Sequence, residues 1–251
     1  MRPALVVALA CLAGACARSD RPAILAPPAT VTILAATTRG PSETPGELFG
    51  GEHGAAVTFA HHVIATPPNR PVGDVIMADR ETDAHPDQHF RITATRVPLA
   101  EKDMAAYIAA ARRKQLAAIV FVHGFNNTYR AGLYRAAQIT ADLNAIEAPM
   151  FFSFASAGSL LNYWTDRGNA EKAAPAFARF IEKASAQAGG QIDVGAHSMG
   201  AWMTVLALKD IAGRHRGRSR PIIRGLMLAA PDIDAEEFIA IWPRIRPMAA
   251  N

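Results

Sequence analysis

The sequence predicts an α/β fold in which a mostly parallel sheet is covered by helices on both faces. Its 251 residues are 50% hydrophobic, which is enough for one domain with a substantial core. From about residue 100 onward, apolar strand-like runs alternate with helix-like stretches, the pattern of parallel strands joined by crossover helices. The run AAIVFV at 117–122 is apolar throughout, as strands buried on both faces are.

The elements are predicted in a definite order along the chain. Strand signals lie at 30–40, 89–97, 117–122, 149–154, 191–196 and 222–230, and helix signals lie at 101–114, 128–144, around 177–184 and at 199–211. The segment 41–88 is rich in Gly, Pro, His and Asp, which predicts loops with one or two short strands such as AAVTFA at 55–60. The first strands favour an antiparallel part before the parallel one.

The N-terminus has the shape of a secretory signal. One arginine is followed by an apolar segment at 4–15, shorter than the ~20 residues that a membrane-spanning helix needs. We expect a signal peptide over 1–16, a proline-containing linker over 17–28 and an α/β domain over 29–251. The protein is therefore expected to be exported.

Both cysteines of the chain, Cys11 and Cys16, lie in this signal. AGAC at 13–16 resembles the cleavage box of a bacterial lipoprotein, whose cysteine becomes lipidated, although the leucine of the box is displaced to Leu12. Lipidation of Cys16 would anchor the protein to a membrane, whereas ordinary cleavage nearby would leave it in the periplasm. In both cases we expect no disulfide and no thiol catalysis.

Charge and histidine spacing do not indicate a nucleic-acid or metal partner. The net charge is +4, and part of the excess lies in the run at 214–220, which is typical of a solvated loop and lacks interleaved aromatic residues. A metal site is one interpretation of the histidine pairs His61-His62 and His85 with His89. No carboxylate or cysteine spacing completes a ligand set, however. We expect no cofactor, and the sequence specifies no oligomeric state.

A nucleophilic serine is predicted in VGAHSMGAW, residues 194–202. Ser198 stands where a buried strand passes into a helix, and Ala196 and Gly200 are small enough for a tight turn. Such a turn exposes the serine Oγ at the helix N-terminus, where the amide of Met199 can donate to an oxyanion. The alternative is an ordinary serine cap, since many helices begin with one.

A second motif, VFVHGFNNTY at 120–129, lies about 75 residues before the serine and fits an oxyanion loop. Gly124 allows the chain to turn, and the amide of Phe125 would be the second donor. His123 is expected to orient this loop through hydrogen bonds rather than to act as the catalytic base.

These motifs resemble a bacterial α/β-hydrolase family of unknown function whose members share an FVHGFN loop, an AHSMG turn and an APDID strand end. Further matching segments are TTRG at 37–40, YRAAQITADL at 134–143, FSFASAGSLLNYWTDRGNA at 152–170 and LAAPDID at 228–234. The resemblance implies the α/β-hydrolase fold and an esterase- or lipase-like activity on a small-molecule or lipid ester. Phe154-Ala155 departs from the Trp-Pro of the family pattern, and we expect this difference at the pocket wall.

The acid and base that serve a serine nucleophile follow it along the chain in this fold. Asp232 and Asp234 come directly after a predicted strand, at the edge of the sheet where sites form. Asp232 is the candidate acid, whereas Asp234 precedes AEEF and fits a helix cap. His215 is expected at the opposite end of the sheet, too far from Ser198 for a base that must approach within ~3 Å.

The catalytic histidine is not identified. The early histidines are His53, His61, His62, His85 and His89, and the sequence gives no reason to choose among them. Because only 17 residues follow Asp234, we expect a C-terminally short domain without a further strand and histidine loop.

Two classes of function follow from these observations. The first is a serine hydrolase with Ser198 as nucleophile, weak or incomplete as the chain stands. The second is a non-catalytic envelope protein that uses the hydrolase scaffold for binding, and a fragment of an active hydrolase is a further alternative.

Asp166 in YWTDRG is expected to shape the site or pair with Arg167, or to be structural.

Overall fold

The computed structural model describes residues 30–113, 118–143, 148–215 and 220–250. The predicted signal peptide and linker, and most of the basic run, lie outside the described residues.

Seven strands and five longer helices make up the described part of the chain. The strands are β1 (Thr30–Pro41), β2 (Phe49–Ala65), β3 (Arg91–Arg96), β4 (Ala118–Val122), β5 (Ala148–Ser153), β6 (Ile192–His197) and β7 (Gly225–Ala229). The helices are α1 (Glu101–Arg113), α2 (Tyr129–Leu143), α3 (Tyr163–Ala188), α4 (Met199–Arg214) and α5 (Ala235–Ile245). Short 3-10 turns occupy Glu81–Asp83, Leu160–Asn162 and Arg246–Met248. None of the helices within these described ranges is long and apolar enough to cross a membrane.

The strands form one sheet in the order β3-β2-β1-β5-β4-β6-β7. β2 pairs antiparallel with both β1 and β3, whereas β1, β5, β4, β6 and β7 are mutually parallel. The predicted α/β fold, with an antiparallel part before the parallel one, is confirmed.

Alternate residues of the central strands supply two hydrophobic cores, one on each face of the sheet. On β4, Val120 and Val122 belong to the larger core, while Phe121 packs against the smaller one. Residues of α1, α3, α4 and α5 complete the larger core, and α2 completes the smaller one. Helices therefore cover both faces, although unequally.

The main difference from the sequence prediction is the length of β2. Residues 49–65 form one long strand instead of a short strand among loops. Glycine allows β2 to approach β1 closely here, because a Cβ on Gly54 would lie 2.9 Å from the carbonyl oxygen of Arg39 on β1. The pairing of β1 with β2 shifts register on each side of Arg39. Glycine at such an irregularity of a sheet resembles loop sequence when it is read without the partner strand.

The carboxyl ends of β4, β5, β6 and β7 lie at one edge of the sheet, because these strands are parallel. The loops that follow them carry the residues predicted for the site, at the edge where ligands bind in open α/β sheets.

Candidate active site

Ser198 joins β6 to α4 in an unusual backbone conformation. Its φ is 51° and its ψ is −122°. Non-glycine residues rarely adopt such angles, which cost on the order of 1–3 kcal/mol and persist only where the surroundings enforce them. The N–H of Ser198 donates to the carbonyl of Ala229 (2.9 Å), and its own carbonyl accepts from the N–H of Ala201 (2.9 Å). The turn is thus held by β7 on one side and by the start of α4 on the other.

The hydroxyl of Ser198 is not used to cap α4. Ser198 occupies the N-cap position, yet its side chain makes no capping hydrogen bond, and the residue is half-buried. An ordinary serine cap accepts a hydrogen bond from the second or third amide of its helix. The geometry therefore differs from the capping alternative.

Backbone strain collects at this edge of the sheet. In the described ranges the non-glycine residues with positive φ are Asn126 (57°), Ser198 (51°) and Ala230 (43°). They lie in the loops after β4, β6 and β7 respectively. Strained residues of this kind cluster at functional sites, where the surrounding structure over-determines them.

Two glycines allow the loop after β4 to press against the serine turn. A Cβ on Gly124 would lie 2.8 Å from His197 Nδ1 and 3.0 Å from Ser198 Cβ. A Cβ on Gly200 would overlap the carbonyl oxygen of His123. Phe125 follows Gly124, and Met199 follows Ser198. The two segments proposed to carry the oxyanion donors are therefore in direct contact.

His123 is buried and uses both ring nitrogens within the protein. Nδ1 lies 2.7 Å from the carbonyl oxygen of Gly124, and Nε2 lies 2.9 Å from Ser153 Oγ. Because a carbonyl only accepts, Nδ1 carries the proton and Nε2 accepts from the serine hydroxyl. Burial, followed by the nearby charge of Arg39, lowers the pKa of His123 to about 3. A neutral ring with both nitrogens occupied is not placed to take a proton from Ser198.

The position at which this sequence departs from the family pattern, Phe154, lies next to the His123 ring. Phe154, which replaces the expected tryptophan, is fully buried and stacks on His123 with ring centroids 4.3 Å apart. It therefore packs beneath the loop after β4.

A buried arginine from β1 anchors the loop after β4. Burial lowers the pKa of Arg39 to about 10, so the side chain is charged near neutral pH. Its guanidinium donates from Nε to Ser153 Oγ (2.8 Å), from one terminal nitrogen to the carbonyls of Gly50 (2.8 Å) and Ser156 (2.7 Å), and from the other to the carbonyl of Asn127 (2.6 Å). Sequence reasoning missed this role, and the signal available was TTRG at 37–40.

Asp166 fixes the loop after β5. Its buried carboxylate accepts hydrogen bonds from the Ser156 hydroxyl and from the N–H of Ala157 (2.9 Å). The suggested pairing with Arg167 is wrong, because Arg167 turns instead toward Asp232 (3.7 Å) and Glu171 (3.9 Å). Consecutive helical residues point in different directions, which separates the two side chains.

Asp232 is attached to the serine turn. Its N–H donates to the carbonyl of Ser198 (3.2 Å), and its Oδ2 accepts from the Tyr163 hydroxyl (2.8 Å). The ring of Tyr163 meets that of Phe125 edge-on, with centroids 5.4 Å apart. Burial and the hydrogen bond to Asp232 raise the pKa of Tyr163, which keeps the hydroxyl protonated. Tyr163 is the second residue that sequence reasoning did not single out.

Asp234 caps α5, accepting from the N–H groups of Glu236 (2.8 Å) and Glu237 (3.1 Å). Beside it, an open depression of about 490 Å³ is lined by Trp164, Arg167, Pro231, Asp232, Ile233, Asp234 and Glu237. The depression places Asp232 at the surface next to the serine turn.

No histidine in the described ranges hydrogen-bonds to Ser198 or Asp232. His215 pairs with Glu182 (2.6 Å) at the far end of α4, about 25 Å from Ser198 at 1.5 Å per helical residue. His62 is held between Thr95 (2.9 Å) and Tyr129 (2.8 Å).

The other early histidines have contacts of their own. His85 and His89 hydrogen-bond to each other within one turn, and His53 contacts the carbonyl of Gly54. His61 neighbours Tyr107. Across the described part of the chain, no group of three or more His, Cys, Asp or Glu residues is arranged to hold a metal ion.

No curated protein and no solved structure matches the chain. The family described as "Alpha/beta hydrolase of unknown function (DUF900)" matches residues 99–247, which is more than half of the chain. This range contains the loop after β4, the serine turn and Asp232. With its parallel sheet and the turn between β6 and α4, the chain belongs to this α/β-hydrolase family.

Proposed function

We propose that the protein is a serine hydrolase of the carboxylesterase or lipase type, with Ser198 as its nucleophile. The observation that carries the proposal is the strained turn at Ser198, whose hydroxyl is left out of helix capping. A residue that serves only packing gains nothing from a positive φ. Membership of an α/β-hydrolase family supports the same chemistry.

In the proposed reaction, Ser198 Oγ attacks the carbonyl carbon of an ester. The carbonyl oxygen becomes an oxyanion, which the amides of Phe125 and Met199 and the N-terminus of α4 stabilise. Collapse of this intermediate breaks the ester C–O bond, expels the alcohol and leaves an acyl group on Oγ. Water then attacks the acyl carbon and releases the acid.

Asp232 is the proposed acidic partner. Its carboxylate lies on the segment bonded to Ser198, and the Tyr163 hydroxyl and Arg167 guanidinium both approach Oδ2. None of the hydrogen-bonded histidines in the described ranges is a candidate base for Ser198. We therefore expect slow turnover from this chain. Oxyanion stabilisation and binding alone leave roughly 10³–10⁴-fold catalysis over water in hydrolases that lack a triad member.

A second candidate function is a non-catalytic envelope protein that binds a ligand on the same scaffold. The observation that favours it is the absence of a described histidine hydrogen-bonded to Ser198 or Asp232. The strained serine argues against it.

A fluorophosphonate probe separates the two functions. We expect slow labelling of the wild-type chain, because the oxyanion donors favour attack by Ser198 although no base is identified, and no labelling of Ser198→Ala. Absence of labelling in the wild type would favour the binding protein. Hydrolysis of p-nitrophenyl acetate and butyrate is then compared among the wild type, Ser198→Ala and a chain extended with a relative's C-terminal segment. A strong gain only in the extended chain would support an incomplete hydrolase.

Export with lipidation of Cys16 is part of the proposed function. The support is the apolar segment at 4–15 and the box that ends at Cys16. Cys16→Ser is expected to release the protein from the membrane fraction. Recovery of cytoplasmic protein with an intact N-terminus would exclude export.

A further inference from the structure

An apolar surface borders the candidate active site. Leu160, Leu161 and Trp164, here called the apolar rim, are 74%, 95% and 79% exposed. They lie at the 3-10 turn that leads into α3 and at the first residues of that helix. Scattered exposed apolar residues are ordinary, but a contiguous group beside a site indicates a binding surface.

The rim is joined to the site through Tyr163. The Tyr163 ring packs against Trp164 (centroids 5.1 Å apart) on one side and against Phe125 (5.4 Å) on the other. Trp164 also lines the open depression that contains Asp232. A surface that covered Trp164 would therefore also lie over the depression that contains Asp232.

We propose that the apolar rim docks on the surface of a phospholipid bilayer and that the substrate is a lipid ester drawn from it. Leucine side chains favour the acyl region, and the amphipathic indole of tryptophan favours the membrane interface. The docking is independent of catalysis, whereas the choice of a lipid ester rests on the proposed function.

The chain that precedes the structure indicates a bilayer rather than a protein as the occupant. Fourteen residue steps separate Cys16, the predicted lipid anchor, from Thr30, where β1 begins. At full extension they reach about 50 Å, close to the ~45 Å diameter of a sphere with the radius of gyration typical of a domain this size. Thr30 lies at the edge opposite Ser198, because β1 runs parallel to β5. With Cys16 lipidated, a segment of this reach would hold the domain near the membrane and allow the rim to face it.

The test uses the fluorescence of Trp164 in the full chain carrying Trp242→Phe. The remaining tryptophan, Trp202, is buried and gives a constant background, and residues 1–29 contain none. Vesicles of phosphatidylethanolamine and phosphatidylglycerol are added, with and without brominated acyl chains. We expect a shift of the Trp164 emission to shorter wavelength and quenching by the bromine atoms. An unchanged spectrum would overturn the proposal even if the N-terminus attaches to the vesicles.

Matched variants assign the effect to the rim. Leu160→Ser combined with Leu161→Ser should abolish the shift, whereas Leu143→Ser, an exposed leucine at the far end of α2, should retain it. Retention of the shift by the double variant would overturn the assignment, as would dimerisation that the double variant abolishes. Fluorophosphonate labelling of Ser198 is measured in parallel, so that failure of docking and failure of the proposed hydrolase are read separately.

Discussion

The N–H of Asp232 donates a hydrogen bond to the carbonyl of Ser198 at 3.2 Å. The loop after β7 and the turn after β6 are thus joined through their backbones, which holds the Asp232 side chain beside the serine. Because the link is a backbone one, replacing the carboxylate leaves it intact.

The first prediction tests this carboxylate. In the chain extended with a relative's C-terminal segment, where a base is present, Asp232→Asn should retain the fold and lower the rate of ester hydrolysis by at least ~10-fold with little change in KM, as loss of an acid–base partner does. Tyr163→Phe should cause a smaller loss. Asp234→Asn is the control, because asparagine also caps helices well and Asp234 serves α5. Equal effects of Asp232→Asn and Asp234→Asn would remove Asp232 from the site.

A second prediction concerns the strain at Ser198. Glycine adopts positive φ without a steric cost, whereas alanine does not. Ser198→Gly should therefore be about 1 kcal/mol more stable than Ser198→Ala in urea unfolding, and both should lose probe labelling. Equal stability of the two variants would show that the turn is relaxed in solution.

Close packing gives a third prediction. Gly200→Ala should lower the free energy of unfolding by about 1–3 kcal/mol, because the new Cβ would overlap the His123 carbonyl and lie 2.9 Å from Val122 Cγ1. Gly213 lies in the same helix with nothing within 4 Å of such a Cβ. Gly213→Ala should be neutral or stabilising by up to ~1 kcal/mol. Similar melting temperatures for the two variants would contradict the placement of Gly200.

The fourth prediction addresses the buried arginine. Arg39→Lys should destabilise the protein by about 2–4 kcal/mol, since one ammonium cannot reach four acceptors that a planar guanidinium serves. Probe labelling should slow as the loop after β4 loosens. Arg96→Lys, in an exposed pair with Asp103, should change stability by less than ~1 kcal/mol. If Arg39→Lys behaves like Arg96→Lys, the anchor is dispensable.

Acid sensitivity is the fifth prediction. His123 takes up a proton near pH 6.5 when unfolded but only near pH 3 when folded, because burial opposes its charge. Its contribution to stability is complete above pH 6.5 and is lost as the pH falls toward about 3, by about 1.4 kcal/mol per pH unit. Across this pH window, the free energy of unfolding measured in urea should change less with pH for His123→Gln than for the wild type. The His123 imidazole NMR signal can be assigned by its loss in His123→Gln, and titration of that signal near pH 6.5 in the folded protein would refute the buried neutral ring.

Much of the fold could be predicted because the parallel strands carry continuous apolar runs and the helices carry periodic ones. AIVFV at 118–122 is β4, and the row from Phe177 to Ala184 is the buried face of α3. The full length of β2 could not be predicted, because its glycines resemble a loop unless β1 is known to lie against them.

The candidate site was predictable only where one short segment carries the signal. The turn at Ser198 is encoded by its immediate neighbours. The role of Arg39 is not, because its acceptors come from three segments, two of them 88 or more residues away, and a lone arginine on a strand is usually solvated. Tyr163 could not be identified from the sequence for the same reason, since its partner Asp232 lies 69 residues away.

The position of Arg39 also shows that the segment matched by the family model is shorter than the segment that must fold together. The family match begins at residue 99, yet the side chain that holds the loop after β4 comes from β1, sixty residues earlier. A fragment excised at the matched boundaries would expose the inner edge of β5 and leave the carbonyl of Asn127 without its cation. Expression of such a fragment should yield insoluble protein, and the folding unit of this chain includes the antiparallel strands.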